Sequence, residues 1–236
     1  TSLKDVDATW RNDREVVLAA VQQNEYALQY ASEVLQDDHD VVLAAVQHHG
    51  TSLYHASEEL RDNYDIVMAA VQQDGKALIW ASEGLKNDRD IVMTAVQQHG
   101  YAILTASEPL SNDREVVLAA VQQHGWALDG VGADLRYDHE IVLTAVQTHG
   151  DALILAGHLQ GNREIVLAAV RRMGVALQDA SVELRGDREI AMAAIRQNVQ
   201  ALEFVSPELR SDVAFVLESV AGFRDAMAEL QNENNP

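Results

Sequence analysis

Histidine recurs at one position of a phrase that this sequence repeats many times. The copies that carry it are His49, His99, His124 and His149, and each is followed by a glycine. Imidazole binds transition metals and titrates near neutral pH, so a row of histidines could hold metal or respond to acid. A shared metal is disfavoured, because repeats about 9 to 10 Å apart cannot bring two imidazoles to about 2.1 Å from one ion. We interpret these histidines as last-turn residues that hydrogen-bond free carbonyl groups, and a weak pH response stays as the alternative.

Acidic clusters recur between the predicted helices, as in "DDHD" (37–40), "DNYD" (62–65) and "NDRD" (87–90). Loop carboxylates suit calcium, but these loops lack the glycine and the closing bidentate glutamate of an EF-hand. We predict instead that they cap helices and contact arginines of stacked neighbouring loops, Arg89 and Arg114 among them.

The motifs of common enzyme classes are missing from the sequence. It contains no G-x-x-x-x-G-K-S/T and no H-E-x-x-H, and "GVGADL" (130–135) lacks the third glycine of a dinucleotide-binding loop. It also contains no cysteine, which excludes disulfides and thiolate metal sites. These observations predict a protein that is not an enzyme and that has no catalytic, cofactor-binding or metal-binding residues.

All of these residues belong to a tandem repeat, which must supply the elements that position them. A fixed period in this range indicates a stacked array, because one unit is too small to bury its own apolar face. One apolar residue marks a period of 25 residues with a single step of 24: Val21, Val46, Val71, Val96, Val121, Val146, Val170, Ile195 and Val220.

The unit that starts at Asp13 predicts a helix from about Arg14 to Asn24, because residues 16–18, 20 and 21 form a wide apolar arc. Asn12 or Asp13 would cap its start, and the alanine at residue 20 suits a close approach between helices. A glycine recurs after this helix and would end it in a left-handed conformation. These glycines are Gly50, Gly75, Gly100, Gly125, Gly150 and Gly174.

A shorter helix follows in each unit, "EYALQYAS" (25–32) in the first copy. The serine that recurs at its end, Ser32 here, would cap one further helical turn, and Pro207 directly after Ser206 fits a first turn. The sequence therefore predicts an all-α fold, an α-solenoid of about nine 25-residue units, each made of a helix, a short helix and a helical turn.

The two ends of the sequence diverge from the repeat pattern, as expected of capping units. We assign residues 1–12 to an N-terminal half-repeat cap and residues 13–212 to the tandem helical repeats. Residues 213–230 form a diverged C-terminal cap repeat, and residues 231–236 are predicted to be a disordered tail because they lack apolar periodicity.

The recurring phrase D-R-E-V-V-L-A-A-V-Q-Q-x-G, followed by A-L-x-x-A-S-E-x-L, resembles the tandem helical repeat family catalogued as domain of unknown function 4116. The resemblance spans essentially the whole chain and weakens at both ends, at "VGADL" (131–135) and at the deletion in "AGHLQGNRE" (156–164). It implies an all-helical array and carries no catalytic residues, since the family has no established activity.

Charge and composition limit the partners. A formal net charge of −20 argues against binding nucleic acid or an anionic membrane, which both need clustered Lys and Arg. No apolar run is long enough to span a bilayer, and the first residues lack the pattern of a signal peptide, so we expect an intracellular, cytoplasmic protein. The acidic surface would favour a basic partner, whose identity the sequence does not give.

The copies disagree most at residues 26, 29 and 30 and at their equivalents, which should face outward from the short helix. Exposed Tyr and Trp are typical of contact patches, so we predict a protein-protein interaction scaffold that binds a basic or amphipathic segment. The alternatives are a purely structural spacer and an ion- or pH-responsive array, and the aromatic residues could instead pack over neighbouring units. The predicted partner-binding residues are Tyr26, Tyr30, Tyr54, Trp80, Tyr101 and Trp126.

Overall fold

The computed structural model describes residues 3, 7–24, 26–219 and 221–223, and every regular element among them is a helix. The predicted tail, 231–236, and the last seven residues of the predicted C-terminal cap lie outside this part. Residues 213–219 and 221–223 are helical. The first element of each repeat is a long α-helix, and these helices span Arg14–Val21, His39–His48, Tyr64–Gln73, Arg89–Gln98, Arg114–Gln123, His139–Thr148, Arg163–Arg172 and Arg188–Gln197.

The second element, the predicted short helix, is a 3₁₀ helix. Its backbone closes with i→i+3 bonds, such as the one from the Ala81 amide to the Leu78 carbonyl at 3.1 Å. These 3₁₀ helices span Leu28–Tyr30, Gly50–His55, Gly75–Trp80, Gly100–Thr105, Gly125–Gly130, Gly150–Leu155, Gly174–Asp179 and Val199–Phe204.

The third element is the predicted helical turn. Its serine cap is confirmed where Ser57 accepts the Leu60 amide at 3.2 Å and Ser181 accepts the Leu184 amide at 3.3 Å. The turn is α-helical at Ala8–Arg11, Glu33–Gln36, Glu58–Arg61, Glu108–Ser111, Val182–Arg185 and Pro207–Ser211, and is a 3₁₀ helix at Leu85–Asn87 and Gly157–Gly161.

The repeats fall into two compact units, one of residues 1–123 with 130–132 and one of residues 124–129 with 133–236. In each unit, consecutive long helices pack against each other in chain order. The 3₁₀ helices do the same from Leu28–Tyr30 to Gly100–Thr105 and from Gly150–Leu155 to Val199–Phe204. The all-α repeat fold of an α-solenoid is therefore confirmed.

The core consists of small aliphatic side chains repeated in register. In the helix Arg89–Gln98, Ile91, Val92, Ala95 and Val96 are fully buried, whereas Met93 is half-buried. The buried stripe is thus narrower than the predicted arc, because the position equivalent to Leu18 lies at its border. The leucine of each 3₁₀ helix, Leu78 for example, completes the core from the other side.

The recurring glycines are not left-handed, which corrects the sequence-based prediction. Among the described residues, only Gly157 has a positive φ, +53°, and it lies at the one-residue deletion. A Cβ at Gly75 would lie 2.2 Å from the carbonyl oxygen of Ala95 in the next repeat, and one at Gly50 would lie 2.3 Å from that of Ala70. The glycine is required because the backbone of the following long helix passes directly against it.

Candidate protein-binding surface

The six predicted aromatic residues all lie outside the buried core. Tyr26 and Tyr54 are exposed, and the other four, Tyr30, Trp80, Tyr101 and Trp126, are half-buried. They lie on the 3₁₀ helices or, for Tyr26, in the turn before one. Trp126 belongs to the second compact unit and the other five to the first.

The structure brings Tyr54 and Trp80 together. Their ring centroids are 4.4 Å apart with an interplanar angle of 52°, because the 3₁₀ helices that carry them are neighbours in the stack. The ring of His55 lies edge-on to Tyr54 at 4.8 Å, and burial lowers the pKa of His55, which favours its neutral form. Packing over a neighbouring repeat, the alternative reading of the aromatic residues, therefore applies to this pair, yet Tyr54 stays 53% exposed.

Tyr54 also begins a row of exposed apolar residues, whose aliphatic members are not among the predicted partner-binding residues. Ile79 and Leu104 hold the same repeat position as Tyr54 in the next two repeats, and they are 48% and 51% exposed. We call Tyr54, Ile79 and Leu104 the apolar row. The sequence signal for the aliphatic members is their repeat position, which is one of the three predicted to face outward. The predicted partner-binding residues at these positions are all aromatic.

One further apolar residue holds this repeat position in the second compact unit. Ile154 is 51% exposed, but the equivalent residues of the preceding and following repeats are Asp129 and Gln178. It therefore forms no row of its own.

A surface cavity of about 390 Å³ opens beside the apolar row. Ile79 and Trp80 form its apolar wall, and its charged lining consists of two carboxylates and two cations, Glu58, Glu83, Arg61 and Lys86. Lys86 forms an ion pair with Glu83 at 2.8 Å, whereas Glu58 lies exposed at the start of its own helical turn. The site thus combines an apolar wall with a charged rim.

The acidic loops have structural roles in holding successive repeats together, as predicted. Asp88 caps the helix Arg89–Gln98 by accepting the amides of Asp90 and Ile91, both at 3.0 Å. Arg89 bonds Asp113 at 2.9 Å and also bonds Glu115, both on the next repeat. The hydrogen bond from Arg89 holds the pKa of the Asp113 carboxyl below its ordinary value.

The same arrangement recurs elsewhere in both compact units, with Arg14 bridging Asp38 and Asp40 and with Arg163 bridging Asp187 and Glu189. Across the described ranges, no group of three His, Asp or Glu side chains could hold a metal ion.

The histidine row departs from the prediction in the second compact unit. The rings of His124 and His149 stack with centroids 4.0 Å apart, so imidazoles of successive repeats do meet, although face to face. His149 uses its Nδ1 to accept the Gly125 amide at 3.1 Å and does not donate to a carbonyl through that atom. Elsewhere the acceptor is the residue one place earlier in the repeat, because Gln73 accepts the Gly50 amide at 2.5 Å. The end of a long helix can therefore supply a side-chain acceptor to the glycine of the preceding repeat.

None of the helices in the described part of the chain combines the length and apolar character needed to cross a membrane.

Comparison with known proteins identifies the repeats and nothing more specific. A family model described as "Domain of unknown function (DUF4116)" matches the chain seven times in overlapping segments, at residues 2–36, 13–61, 38–86, 63–111, 88–131, 113–160 and 162–220. No curated protein and no solved structure gives a significant match.

Proposed function

Since the chain belongs to the DUF4116 family, whose name assigns no activity, we propose from its own surface that it is a non-enzymatic scaffold that binds a basic, amphipathic protein segment. The observation that carries this proposal is the apolar row of Tyr54, Ile79 and Leu104. Three half-exposed apolar side chains on adjacent, packed 3₁₀ helices offer a continuous strip to a partner, and such strips are a feature of interaction sites.

Tyr54 has the properties of a binding anchor. Its ring is supported by Trp80 on one side and by His55 on another, so little side-chain entropy remains to be lost when a partner covers it. Aromatic residues held in this way dominate the energy of many protein interfaces. The supported Tyr54 would therefore contribute more to binding than a mobile surface tyrosine.

The charge around the row selects the partner. The adjoining cavity itself is balanced, with Glu58 and Glu83 beside Arg61 and Lys86, so the preference for a basic partner rests on the formal net charge of −20 of the whole chain. An amphipathic helix with apolar residues on one face and Lys or Arg beside them would cover the row and be attracted by the acidic surface of the chain. An acidic segment would be repelled from the same surface.

The proposal is tested with a fluorescein-labelled helical peptide of leucine and lysine, with the leucines on one face, by fluorescence anisotropy. Ile79→Ser should weaken binding about tenfold, because roughly 1.4 kcal/mol of apolar burial is lost when this side chain is removed from the contact. Ile154→Ser is the matched control, since Ile154 is equally exposed at the same repeat position but has no apolar neighbour in the row.

Both isoleucines are half-exposed, so neither substitution should change urea unfolding by more than about 0.5 kcal/mol. Equal peptide affinity for Ile79→Ser and Ile154→Ser would contradict binding at the apolar row. That outcome would favour a purely structural spacer, to which the peptide sticks only through general charge attraction.

A further inference from the structure

The basic residues of this acidic chain are concentrated in its later repeats. Residues 163–212 contain seven arginines and eight acidic residues, whereas residues 1–162 contain nine basic and 25 acidic residues. The second compact unit therefore offers the one stretch in which arginine nearly balances the carboxylates.

Two of these arginines hold the same position in successive long helices. Arg171 and Arg196 lie near the ends of Arg163–Arg172 and Arg188–Gln197, which pack against each other, and both are exposed. A cation in the last turn is favourable to the helix dipole, yet stability does not require it here. Glutamine holds this position in six other repeats, at Gln22, Gln47, Gln72, Gln97, Gln122 and Gln147.

Both arginines line one open cavity of about 750 Å³ in the second compact unit. Ala193, which is half-buried, also lines it, as does the edge of the buried Met192. We call this cavity the arginine groove.

The two carboxylates that also line the arginine groove are already paired. Glu189 bonds Arg163, and Glu218 bonds Arg188 at 2.6 Å while the Arg188 guanidinium lies 5.2 Å from the Phe215 ring centroid. Within the described residues, Arg171 and Arg196 make neither a hydrogen bond nor an ion pair through their side chains. In the part of the chain that the structure describes, the groove therefore presents two guanidinium groups without an ion-pair partner.

We propose that the arginine groove binds an extended, acidic protein segment whose carboxylates lie three residues apart. Packed helices are about 8 to 10 Å apart, which sets the step between equivalent residues of neighbouring repeats. In a polyproline II segment, residues i and i+3 project from the same side and lie about 9 Å apart. Each carboxylate can then meet one guanidinium in a bidentate pair, and the side chains between them can cover Ala193.

A nucleic acid fits this groove less well. Continuous phosphates would extend past the two arginines onto a chain with a formal net charge of −20, and affinity for nucleic acid depends on many neutralised phosphates. A short acidic peptide can pair with Arg171 and Arg196 without placing further negative charge against the acidic remainder of the chain.

The test uses a labelled peptide of four Glu-Pro-Pro triplets and its Gln-Pro-Pro counterpart, measured by anisotropy with the full chain at about 50 mM salt, where screening is weak. The wild-type protein should bind the glutamate peptide at least tenfold more tightly than the glutamine peptide. The double variant R171Q/R196Q should lose at least tenfold in affinity for the glutamate peptide. It should still fold, because glutamine is what the other repeats carry at this position.

The variant R136Q/R210Q is the control for net charge. Arg136 and Arg210 hold one repeat position in the same compact unit, and they donate to the carbonyls of Asp129 and Glu203. Gln36 and Gln160 hold that position in other repeats and also donate to carbonyls. This double variant removes the same charge outside the groove and should bind as the wild type does.

Three results would overturn the proposal. The first is equal affinity of R171Q/R196Q and R136Q/R210Q for the glutamate peptide, which would mean that the peptide binds only through the net charge of the protein. The second is a wild-type protein that does not distinguish the glutamate peptide from the glutamine peptide. The third is tighter binding of an oligothymidylate of equal charge, which would make the groove a nucleic-acid site.

Discussion

Replacing Gly75 by alanine places a methyl group against the backbone of the next repeat. The added Cβ would lie 2.2 Å from the Ala95 carbonyl oxygen and 3.1 Å from its carbonyl carbon, where ordinary contacts begin at 3.4 Å. The obstacle belongs to the middle of the helix Arg89–Gln98, so no side-chain rotation can relieve it. The two repeats must separate locally by roughly 1 Å, which loosens the buried contacts on either side.

The expected cost follows from two opposing effects. Overpacking a well-packed interior costs about 1 to 3 kcal/mol, and a backbone obstacle places Gly75→Ala at the upper end. Reduced freedom of the unfolded chain returns about 0.4 to 1 kcal/mol when glycine becomes alanine. We therefore expect a net loss of about 2 kcal/mol in the free energy of unfolding, measured by circular dichroism in urea.

Two further variants separate this explanation from its rivals. Gly84 has a helical backbone, with φ −60° and ψ −47°, and no atom within 3.7 Å of an added Cβ, so Gly84→Ala should stabilise by about 0.4 to 1 kcal/mol. Gly75→Asn should be at least as harmful as Gly75→Ala, because both carry a Cβ. A mild effect of asparagine beside a severe effect of alanine would indicate a left-handed residue, since asparagine tolerates that conformation. A neutral Gly75→Ala would refute the close approach itself.

The acidic loops lead to two more predictions. Asp88→Ala should cost about 1 kcal/mol of unfolding free energy because the amides of Asp90 and Ile91 lose their acceptor, whereas Asp88→Asn should stay within a few tenths of the wild type; urea titration of both variants checks this. Because the hydrogen bond from Arg89 lowers the pKa of Asp113 in the folded state, the unfolded chain binds this proton at higher pH than the folded chain does. The stability that Asp113 contributes should be complete at neutral pH and be lost as the pH falls below about 4, and Arg89→Gln should flatten that part of an acid titration followed by circular dichroism.

The sequence predicts most of the fold because most of it is local. The long helices follow from apolar periodicity, their starts follow from Asp and Asn caps, and their order in the stack follows from the period itself. The type of the second helix does not follow, because six residues with i and i+3 contacts suit a 3₁₀ helix as well as an α-helix. The role of Gly75 does not follow either, since its cause is a carbonyl group twenty residues further along the chain.

The candidate sites, like the fold, could be predicted from the sequence only in part. The outward positions of the 3₁₀ helix were predictable, and so were Tyr54 and Trp80 as members of a surface. The exposure of Ile79 and Leu104 was predictable from the same outward position, although the predicted partner-binding residues are all aromatic. The contact between Tyr54 and Trp80 needed the structure, since the two residues hold different repeat positions and meet only through the stacking of their helices.

The tight contact between glycine and alanine explains how one repeat can carry different surfaces. Where a carbonyl such as that of Ala95 passes against a glycine such as Gly75, the backbones of successive repeats are fixed and the spacing between equivalent residues is fixed with them. Side chains at exposed positions then vary without disturbing the stack. The position of Ile79 carries apolar residues in three successive repeats of the first compact unit, and the position of Arg196 carries arginine in two repeats of the second. Because each position repeats at the step of packed helices, a few substitutions create a row that matches the regular spacing of an extended or helical partner.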